Sequence, residues 1–386
     1  MSEILFTVTE ENLETGMRGY PVGYCTTSTV DPYKGLFYAG LAVSEMSNWQ
    51  PEEVIYLIFY GKKAEEKELQ NFKKELIQRS FCSPKLISQI ENFPKESHPM
   101  KLLSAALLFA GTFEGKDDYL EDSLNLIAKI PQIVATLINC HAGWGKTNPS
   151  KPEMGYMENF AQMLNVPGVS SEKLIEVFKF FNILHYDHGG GNLSAFVGKA
   201  VASGLEDLYG SMSAAMSALA GPRHGKANQD CLTFVQELNS DLGESITTDK
   251  VEQLIRDKLS KRELIYGFGH AVLRVEDARA TLLYEFAQKH YADHELVKLA
   301  LMLREAGSKV LKENPKVADP YPNVDAISGI LLTAAGFSYP QYYTVLFGMA
   351  RIVGISRQIV YERKEARESK GTPIIRPKYL YKNLSS

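Results

Sequence analysis

The stretch that decides the fold is SSEKLIEVFKFFNILHYDHGGGN, residues 170–192. Apolar side chains recur through it at helical spacing, at Leu174, Val177, Phe178, Phe181 and Leu184. Ser170 has the chemistry of a helix N-cap. The predicted helix runs directly into a turn rich in histidine and glycine, HYDHGGGN at 185–192. The segment therefore predicts a helical fold in which a rigid apolar helix holds polar groups at the edge of the core.

Helical patterns continue on both sides of this segment. Pro51 fits the first turn of a short apolar helix that Gly61 closes. Residues 64–79 place apolar side chains on one face and charges on the other, and residues 249–312 hold further amphipathic helices. Strand-like and turn-like pieces are confined to residues 1–45. The fold class predicted is mostly α, with a few short N-terminal strands.

The composition of the 386 residues is that of an ordinary globular protein, with 45% hydrophobic and 23% charged residues. The chain is long enough for two domains that share a large core. A formal net charge of −4 argues against a nucleic-acid partner, since phosphate binding requires a clustered positive surface. Small anions need only a few well-placed arginines and remain possible ligands.

The cysteines and the N-terminal residues point to a reduced, intracellular setting. Four cysteines lie far apart without metal-type spacing: Cys25, Cys82, Cys140 and Cys231. The first residues, MSEILFTVTEENLE, show neither a secretory nor a mitochondrial presequence pattern. No uninterrupted apolar run of about 18 residues is visible, so no membrane span is expected. We expect a cytoplasmic enzyme with no membrane partner.

Three of the eight histidines lie in turns flanked by glycine: His188 in YDHGGGN, His224 in AGPRHGKAN and His270 in YGFGHAVLR. Glycine allows a ligand to approach backbone and side chain together. A single such histidine is as often a structural hydrogen-bonding residue. Three of them in one chain favour a functional site.

Three charged residues also stand out, each with a structural alternative. Arg351 interrupts an apolar helix, so an acidic residue or an anionic ligand must face it. Arg279 lies nine positions beyond His270, and its alternative is an exposed ion pair with Glu276 or Asp277. Asp325 precedes an apolar run, where a helix N-cap is its alternative role.

Six strings in fixed order carry a family resemblance. They are ILHYDHGGGNLSAF (183–196), SALAGPRHGKANQD (217–230), YGFGHAVLRVEDARA (266–280), PNVDAISG (322–329), YYTVLFGMARIVG (342–354) and IIRPK (374–378). In this order they resemble the citrate synthase family, in its short, eukaryote-like, dimeric form. The resemblance implies a two-domain helical fold with a large domain at 1–224 and 331–386. A small domain at 225–330 would close over the active site.

The resemblance also implies an acyltransferase of the tricarboxylic acid cycle that condenses acetyl-CoA with oxaloacetate. Asp325 resembles the base that removes a methyl proton from the thioester. His224 resembles the hydrogen-bond donor to the thioester oxygen, and His270 the donor to the ketone of oxaloacetate. No metal and no cofactor is implied, because the coenzyme A thioester is a substrate.

The binding residues carried over by the resemblance fall into two groups. The residues implied for oxaloacetate are His188, Asn192, Arg279, Arg351 and, from the neighbouring subunit of a homodimer, Arg376. The residues implied for coenzyme A are Arg274, Arg18 and Lys316.

Some positions depart from the family pattern or depend on spatial proximity. Gly189 replaces an acidic residue, Ala278 replaces a proline next to Arg279, and Ala318 occupies a position where a basic residue is expected. Arg223 stands where an apolar residue is commoner. If Arg223 and Lys226 lie near His224, their charges would help to keep that imidazole neutral.

Three competing functions stay open at this point. A 2-methylcitrate synthase would use the same residues with propionyl-CoA, and one methylene is worth only about 1–3 kcal/mol in an apolar pocket. A metal-dependent hydrolase or lyase would use His185, Asp187 and His188, or His290 with His294. A catalytically silent binding protein is the third alternative.

Overall fold

The computed structural model describes residues 3–243 and 246–383, and it confirms the mostly α fold class. Fifteen α-helices of eight or more residues lie in the described part of the chain. Their bounds are α1 Pro51–Tyr60, α2 Glu66–Arg79, α3 Pro84–Glu91, α4 Pro99–Glu114, α5 Tyr119–Ala142, α6 Tyr156–Met163, α7 Ser171–His185, α8 Leu193–Ser203, α9 Leu208–Leu219, α10 Ala227–Leu242, α11 Thr248–Ser260, α12 Ala278–Tyr291, α13 Glu295–Lys312, α14 Asp325–Ala334 and α15 Tyr343–Val360. A π-helical turn, Tyr361–Glu365, follows α15 directly.

The N-terminal strands form one small antiparallel sheet, as the sequence predicts. β1 (Ser28–Asp31) pairs with β2 (Gly35–Tyr38), and β2 pairs with β3 (Leu41–Ala42). The fully buried Tyr38 donates a hydrogen bond from its hydroxyl to the carbonyl of Ile183 in α7. This contact ties the sheet to the helix that ends at the histidine-rich turn.

The core is built around α5 and α15, which pack against each other. α15 also packs against α7, α8 and α9, so one buried helix contacts the segments on both sides of the 185–192 turn. By length and composition α5 is apolar enough to cross a membrane, although Lys129 and several polar residues interrupt it, so it is not the uninterrupted apolar run that the sequence was searched for. Because 83% of its most apolar window is buried inside the protein, α5 is accounted for as a core helix.

The helices α10 to α14 form a second packed group, in which α14 contacts α10, α12 and α13. α14 also packs against α7, and α10 packs against α15, so this group adjoins the first. The predicted boundary between residues 330 and 331 falls inside α14. The division at 224/225 and 330/331 stays a prediction, since packing alone does not show which helices move together.

Candidate active site

The turn between α7 and α8 is rigidly built. α7 ends at His185, and Asn192 caps α8 by accepting a hydrogen bond from the backbone N–H of Ala195 at 3.1 Å. The Asn192 amide also donates to the carbonyl of Gly189 at 2.7 Å. Both ends of the Asn192 amide are therefore engaged by the turn, and a contact with oxaloacetate stays a prediction.

Asp187 is fully buried in this turn and is surrounded by donors. Its carboxylate accepts hydrogen bonds from the hydroxyls of Thr27 and Ser28, from the backbone N–H of His188 at 2.9 Å, and from the Gln358 amide at 2.9 and 3.1 Å. The sequence singled out Asp187 as a metal ligand within a candidate set. The structure instead assigns its carboxylate to protein donors.

The ring of His188 meets that of His270, with 5.2 Å between ring centroids and an edge-to-face arrangement. The Nε2 of His188 is buried and has no hydrogen-bond partner in the described part of the chain. Burial, with the nearby charges of Arg279 and Arg351, lowers the pKa of His188 well below its usual value. His188 is therefore a neutral imidazole with an unused polar atom in an arginine-rich site.

His270 has a defined tautomer. Its Nδ1 lies 3.0 Å from the backbone nitrogen of Val272 and 2.9 Å from that of Leu273. A backbone N–H can only donate, so Nδ1 accepts and the proton of the neutral ring lies on Nε2. Burial, followed by the charge of Arg279, lowers the pKa of His270. The ring thus presents an N–H donor through Nε2.

His224 has the opposite tautomer for the same reason. Its Nε2 accepts from the backbone N–H of Ser194 at 3.2 Å, and the Ser194 hydroxyl lies 3.0 Å away. The proton of the neutral ring is therefore on Nδ1. Burial, followed by the charge of Arg351, lowers the pKa of His224 to about 4.

The charge that helps to keep His224 neutral is therefore not the one that the sequence suggested. Arg223 is exposed, and Lys226 is paired with Asp230 at 2.9 Å. The cation that acts on the pKa of His224 is Arg351, which is more than a hundred residues away in sequence. Sequence proximity was the wrong guide to the pKa of His224, because Arg223 lies in solvent and Lys226 pairs with Asp230.

Arg351 is the most unusual charge of the site. Its side chain is only 3% exposed, and its Nε and Nη1 have no hydrogen-bond partner in the described residues. The guanidinium stacks over Phe347, 4.8 Å from the ring centroid. Burial lowers the pKa of Arg351 to about 10, and the charge of Asp187 acts against this shift. The alternative of a structural salt bridge is wrong, since no carboxylate contacts this guanidinium in the part of the chain described.

Arg279 is paired, but not at the surface. Its Nε and Nη2 donate to Asp277 at 3.0 and 2.7 Å, and the two side chains are 4% and 1% exposed. The alternative of an exposed ion pair named Asp277 correctly as a possible partner of Arg279. It is wrong about the exposure, because the pair is buried. Asp277 occupies two of the donor atoms, and the fork orients the remaining nitrogen, Nη1, rigidly.

Asp325 is the first residue of α14, and Val324 occupies the N-cap position, so the N-cap alternative is wrong. No donor in the described residues hydrogen-bonds to its carboxylate. Burial raises the pKa of Asp325 to about 6, and the charges of Arg279 and Arg351 limit the rise. The carboxylate is a stronger base than an ordinary aspartate and is still ionised at neutral pH.

Direct contacts bring these distant residues to one place. His224 is held by Ser194, at the start of the helix that follows the His188 turn, and His188 contacts His270. The turn that precedes His270 is paired to the segment before Asp325 through Asn323. The side-chain amide of Asn323 donates to the carbonyl of Gly269 at 2.9 Å, and its backbone N–H donates to the carbonyl of Gly267 at 2.9 Å. These contacts place the segments of His224, His270 and Asp325 next to one another, and the charge of Arg279 or Arg351 acts on the pKa of each. A shared crevice that holds a dicarboxylate among them stays a prediction.

Two of the three residues expected to bind coenzyme A lie at the surface. Arg18 and Lys316 are exposed. The Arg274 guanidinium donates to the carbonyls of Val272 and Leu273, at 3.1 and 2.6 Å, and so supports the His270 turn. Arg376 is exposed near the C-terminus, and its contact with a neighbouring subunit stays a prediction.

The metal-binding alternative finds no ligand set in residues 3–243 and 246–383, where no three His, Cys, Asp or Glu side chains group to hold an ion. His185, one member of the proposed set, is fully buried, and its Nδ1 lies 2.6 Å from the carbonyl of Phe181. The ring stacks on Phe181 with centroids 4.1 Å apart. His185 is thus a core histidine.

A family model described as "Citrate synthase, C-terminal domain" matches residues 16–378. The mitochondrial citrate synthase of Citrus maxima is 34% identical over 387 aligned positions, which cover 94% of this chain and 80% of that protein. The chain belongs to the citrate synthase family. The peroxisomal citrate synthase of Saccharomyces cerevisiae is 33% identical, over 95% of this chain and 84% of its own length.

Solved citrate synthases have the same fold. The enzyme from Thermotoga maritima superposes with a TM-score of 0.82 at 27% identity, covering 97% of this chain and 96% of its own. A ternary complex of citrate synthase from Thermoplasma acidophilum with carboxymethyl coenzyme A and oxaloacetate gives a TM-score of 0.82 at 26% identity, with 96% coverage of each chain.

Membership of the citrate synthase family makes this chain an acyltransferase of the condensing type. It also accounts for the order of the six strings, the first five of which lie on the turns and helices described above. Sequence reasoning did not find two residues that support the candidate site, Asp187 and Gln358. Gln358 gave no sequence signal, because its partner lies 171 positions earlier.

Proposed function

We propose that this chain condenses acetyl-CoA with oxaloacetate and hydrolyses the resulting citryl-CoA to citrate and coenzyme A. The observation that carries the proposal is the buried guanidinium of Arg351: within residues 3–243 and 246–383, two of its nitrogens and the Nε2 of the nearby His188 have no hydrogen-bond partner. An uncompensated buried charge is costly, so an anion that also accepts from an imidazole is the fitting ligand. The dicarboxylate oxaloacetate has this chemistry.

The donors of the site match the two substrates separately. Arg351 and the Nη1 of Arg279 would bind the carboxylates of oxaloacetate, and the His270 Nε2–H would donate to its ketone oxygen. This hydrogen bond draws electron density from the carbonyl carbon and makes it electrophilic. The Nδ1–H of His224 would donate to the thioester oxygen of acetyl-CoA.

Condensation then follows from three groups acting together. The Asp325 carboxylate removes a proton from the thioester methyl group, while His224 stabilises the enolate or enol at the oxygen. The nucleophilic carbon attacks the ketone carbon, a carbon–carbon bond forms while the C=O π bond breaks, and the ketone oxygen takes up the Nε2 proton of His270 to become the hydroxyl of citryl-CoA. Water attacks the thioester carbonyl, so that the carbon–sulfur bond breaks and the thiol leaves as coenzyme A.

The proposal is tested by following free thiol in four assays with purified protein. Oxaloacetate alone and acetyl-CoA alone should release no thiol, and both together should release one thiol per citrate formed. No thiol release with both substrates would overturn the proposal and favour a catalytically silent binding protein. Replacing acetyl-CoA by propionyl-CoA decides between citrate and 2-methylcitrate synthesis, for which the site residues are the same.

The same assay tests two further parts of the proposal. We propose that the reaction needs no metal, so thiol release should be unchanged after treatment with a chelator. Loss of activity that is restored by a divalent cation would revive the metal-dependent alternative.

We propose a homodimer in which Arg376 serves the partner's site. Arg376→Ala and Asp325→Asn should each be inactive alone. After subunit exchange between them, the mixture should recover about a quarter of wild-type activity, since mixed dimers contain one intact site. If Arg376 acted within its own chain, every site in the mixture would carry a defect and no activity would return.

A further inference from the structure

The strongest unassigned feature is the buried Asp187 carboxylate and the residues that hold it. It joins three parts of the chain: Thr27 and Ser28 at β1, the His188 turn, and Gln358 on α15. Burying a carboxylate costs several kcal/mol unless donors surround it, and here hydroxyls, an amide and a backbone N–H do so. The arrangement therefore has a demanding geometry that depends on all three segments.

α15 carries both Gln358 and Arg351. They lie seven residues apart, so they share one face of the helix, two turns and roughly 10 Å from each other. Between them lies Gly354, where a Cβ would come within 2.3 Å of the Asp187 Cγ. The Gly354 N–H also donates to the Tyr186 carbonyl at 3.1 Å. The helix that presents Arg351 is thus fitted closely against the turn that presents His188.

Ser28 completes the connection on the other side. Its hydroxyl donates to Asp187 at 2.8 Å and accepts from the backbone N–H of Gly189 at 2.7 Å. Asp187 itself accepts from the His188 N–H. The backbone on both sides of the His188 Cα is therefore fixed to the same carboxylate system, which sets the direction of the imidazole.

We propose that Asp187 is a positioning residue for the dicarboxylate substrate: its hydrogen bonds to Gln358 fix the distance between His188 and Arg351. This inference rests on the proposed function, since it assigns the Asp187–Gln358 link to oxaloacetate binding. The link does not touch the substrate. It acts by keeping two substrate-binding groups, from different segments, in one geometry.

Exchange of the two partners tests the link. Gln358→Glu places two carboxylates about 3 Å apart, and their repulsion should separate α15 from the turn. The dissociation constant of the Gln358→Glu variant for oxaloacetate, measured by calorimetry at pH 8, should rise about tenfold or more above that of wild type. Asp187→Asn combined with Gln358→Glu restores an amide–carboxylate pair with the roles exchanged. Binding in this double variant should return to within about threefold of wild type.

The pH dependence of binding gives a second readout that a general loss of structure would not show. In Gln358→Glu the two carboxylates should share one proton as the pH falls from 8 to 6, which re-forms a hydrogen bond between them. The ratio of its dissociation constant to that of wild type should therefore shrink over this range. If Gln358→Glu does not fold, Asp187→Asn, which keeps the side-chain shape, carries the comparison, with an expected weakening of about tenfold.

The matched control is Asp122→Asn. Asp122 is also buried and accepts two hydrogen bonds from the Lys116 N–H, at 3.0 and 3.1 Å, but it lies at the start of α5, away from the site. It should leave oxaloacetate binding unchanged.

Two results would overturn the inference. One is a double variant that binds as weakly as Gln358→Glu, and the other is an Asp187→Asn protein that binds like wild type. A wild-type protein that neither binds oxaloacetate nor releases thiol would instead remove the proposed function, and the inference with it.

Discussion

The two ends of the candidate cleft are built in opposite ways. At the end assigned to the dicarboxylate, Arg279 and Arg351 are almost wholly buried; Arg279 is paired with Asp277, whereas no carboxylate of the described residues contacts Arg351. Two backbone N–H groups orient the neighbouring ring of His270. At the end assigned to coenzyme A, Arg18 and Lys316 are exposed. The described residues thus preorganise the first end, apart from the proposed contribution of Arg376 from a neighbouring subunit, whereas two of the cations assigned to the second end lie at the surface.

This difference indicates where specificity resides. Buried donors in a poorly solvated place discriminate strongly, because a ligand that leaves one unpaired loses a large free energy. Exposed cations attract many phosphates with small and salt-screened contributions. We therefore expect substitutions at the dicarboxylate end and at the catalytic carboxylate to act severely, and those at the coenzyme A end to act mildly.

The largest effect is expected for Asp325→Asn. The amide cannot accept the methyl proton, so the turnover number should fall by about 10²- to 10⁴-fold. Binding of oxaloacetate, measured by calorimetry, should stay close to wild type, because the dicarboxylate is assigned to arginine and histidine donors. Turnover that survives this substitution would remove Asp325 from its proposed role.

The next effect is expected for Arg351→Lys. A lysine keeps the charge but loses the planar fork that binds a carboxylate through two parallel hydrogen bonds. The dissociation constant for oxaloacetate should rise about 10- to 100-fold. The KM for acetyl-CoA, measured at saturating oxaloacetate, should change much less. Equal losses for both substrates would contradict the separation of the two ends.

A pH profile of kcat/KM for acetyl-CoA tests the catalytic carboxylate without mutation. Because burial raises the pKa of Asp325 to about 6, the base is ionised above this pH and becomes protonated below it. Activity should therefore fall about tenfold per pH unit below 6. His224, with a pKa lowered to about 4, stays neutral across most of this range. A midpoint near the ordinary aspartate value would show that Asp325 is not perturbed in this way.

Much of this contrast could be predicted from the sequence. The glycine-flanked turns of His188, His224 and His270, and an arginine inside an apolar helix, are local patterns with a physical meaning. The helix that starts after Ser170 and the short N-terminal strands were likewise readable from periodicity. The resemblance supplied roles for these residues, and those roles, the homodimer and a cytoplasmic location stay predictions.

The rest depends on contacts between distant segments. The tautomer of His224 is set by one backbone N–H group and that of His270 by two, and no sequence pattern specifies these contacts. The pKa of Asp325 depends on its burial, and that of His224 on Arg351 rather than on its charged neighbours in sequence. Asp187 looked like a metal ligand because its donors, from β1 and α15, are more than 150 positions away.

The smallest effect is expected for Lys316→Ala, at the open end of the cleft. Lys316 is exposed, so its attraction for a coenzyme A phosphate is screened by water and salt. The KM for acetyl-CoA should rise only about two- to fivefold at low ionic strength, and the difference should vanish near 0.5 M salt, where the Debye length is only about 4–5 Å. Lys67→Ala, an exposed lysine on α2, is the matched control and should leave both substrates unaffected. A large, salt-independent loss in Lys316→Ala would mean that the coenzyme A end is as buried and preorganised as the dicarboxylate end once the substrate binds.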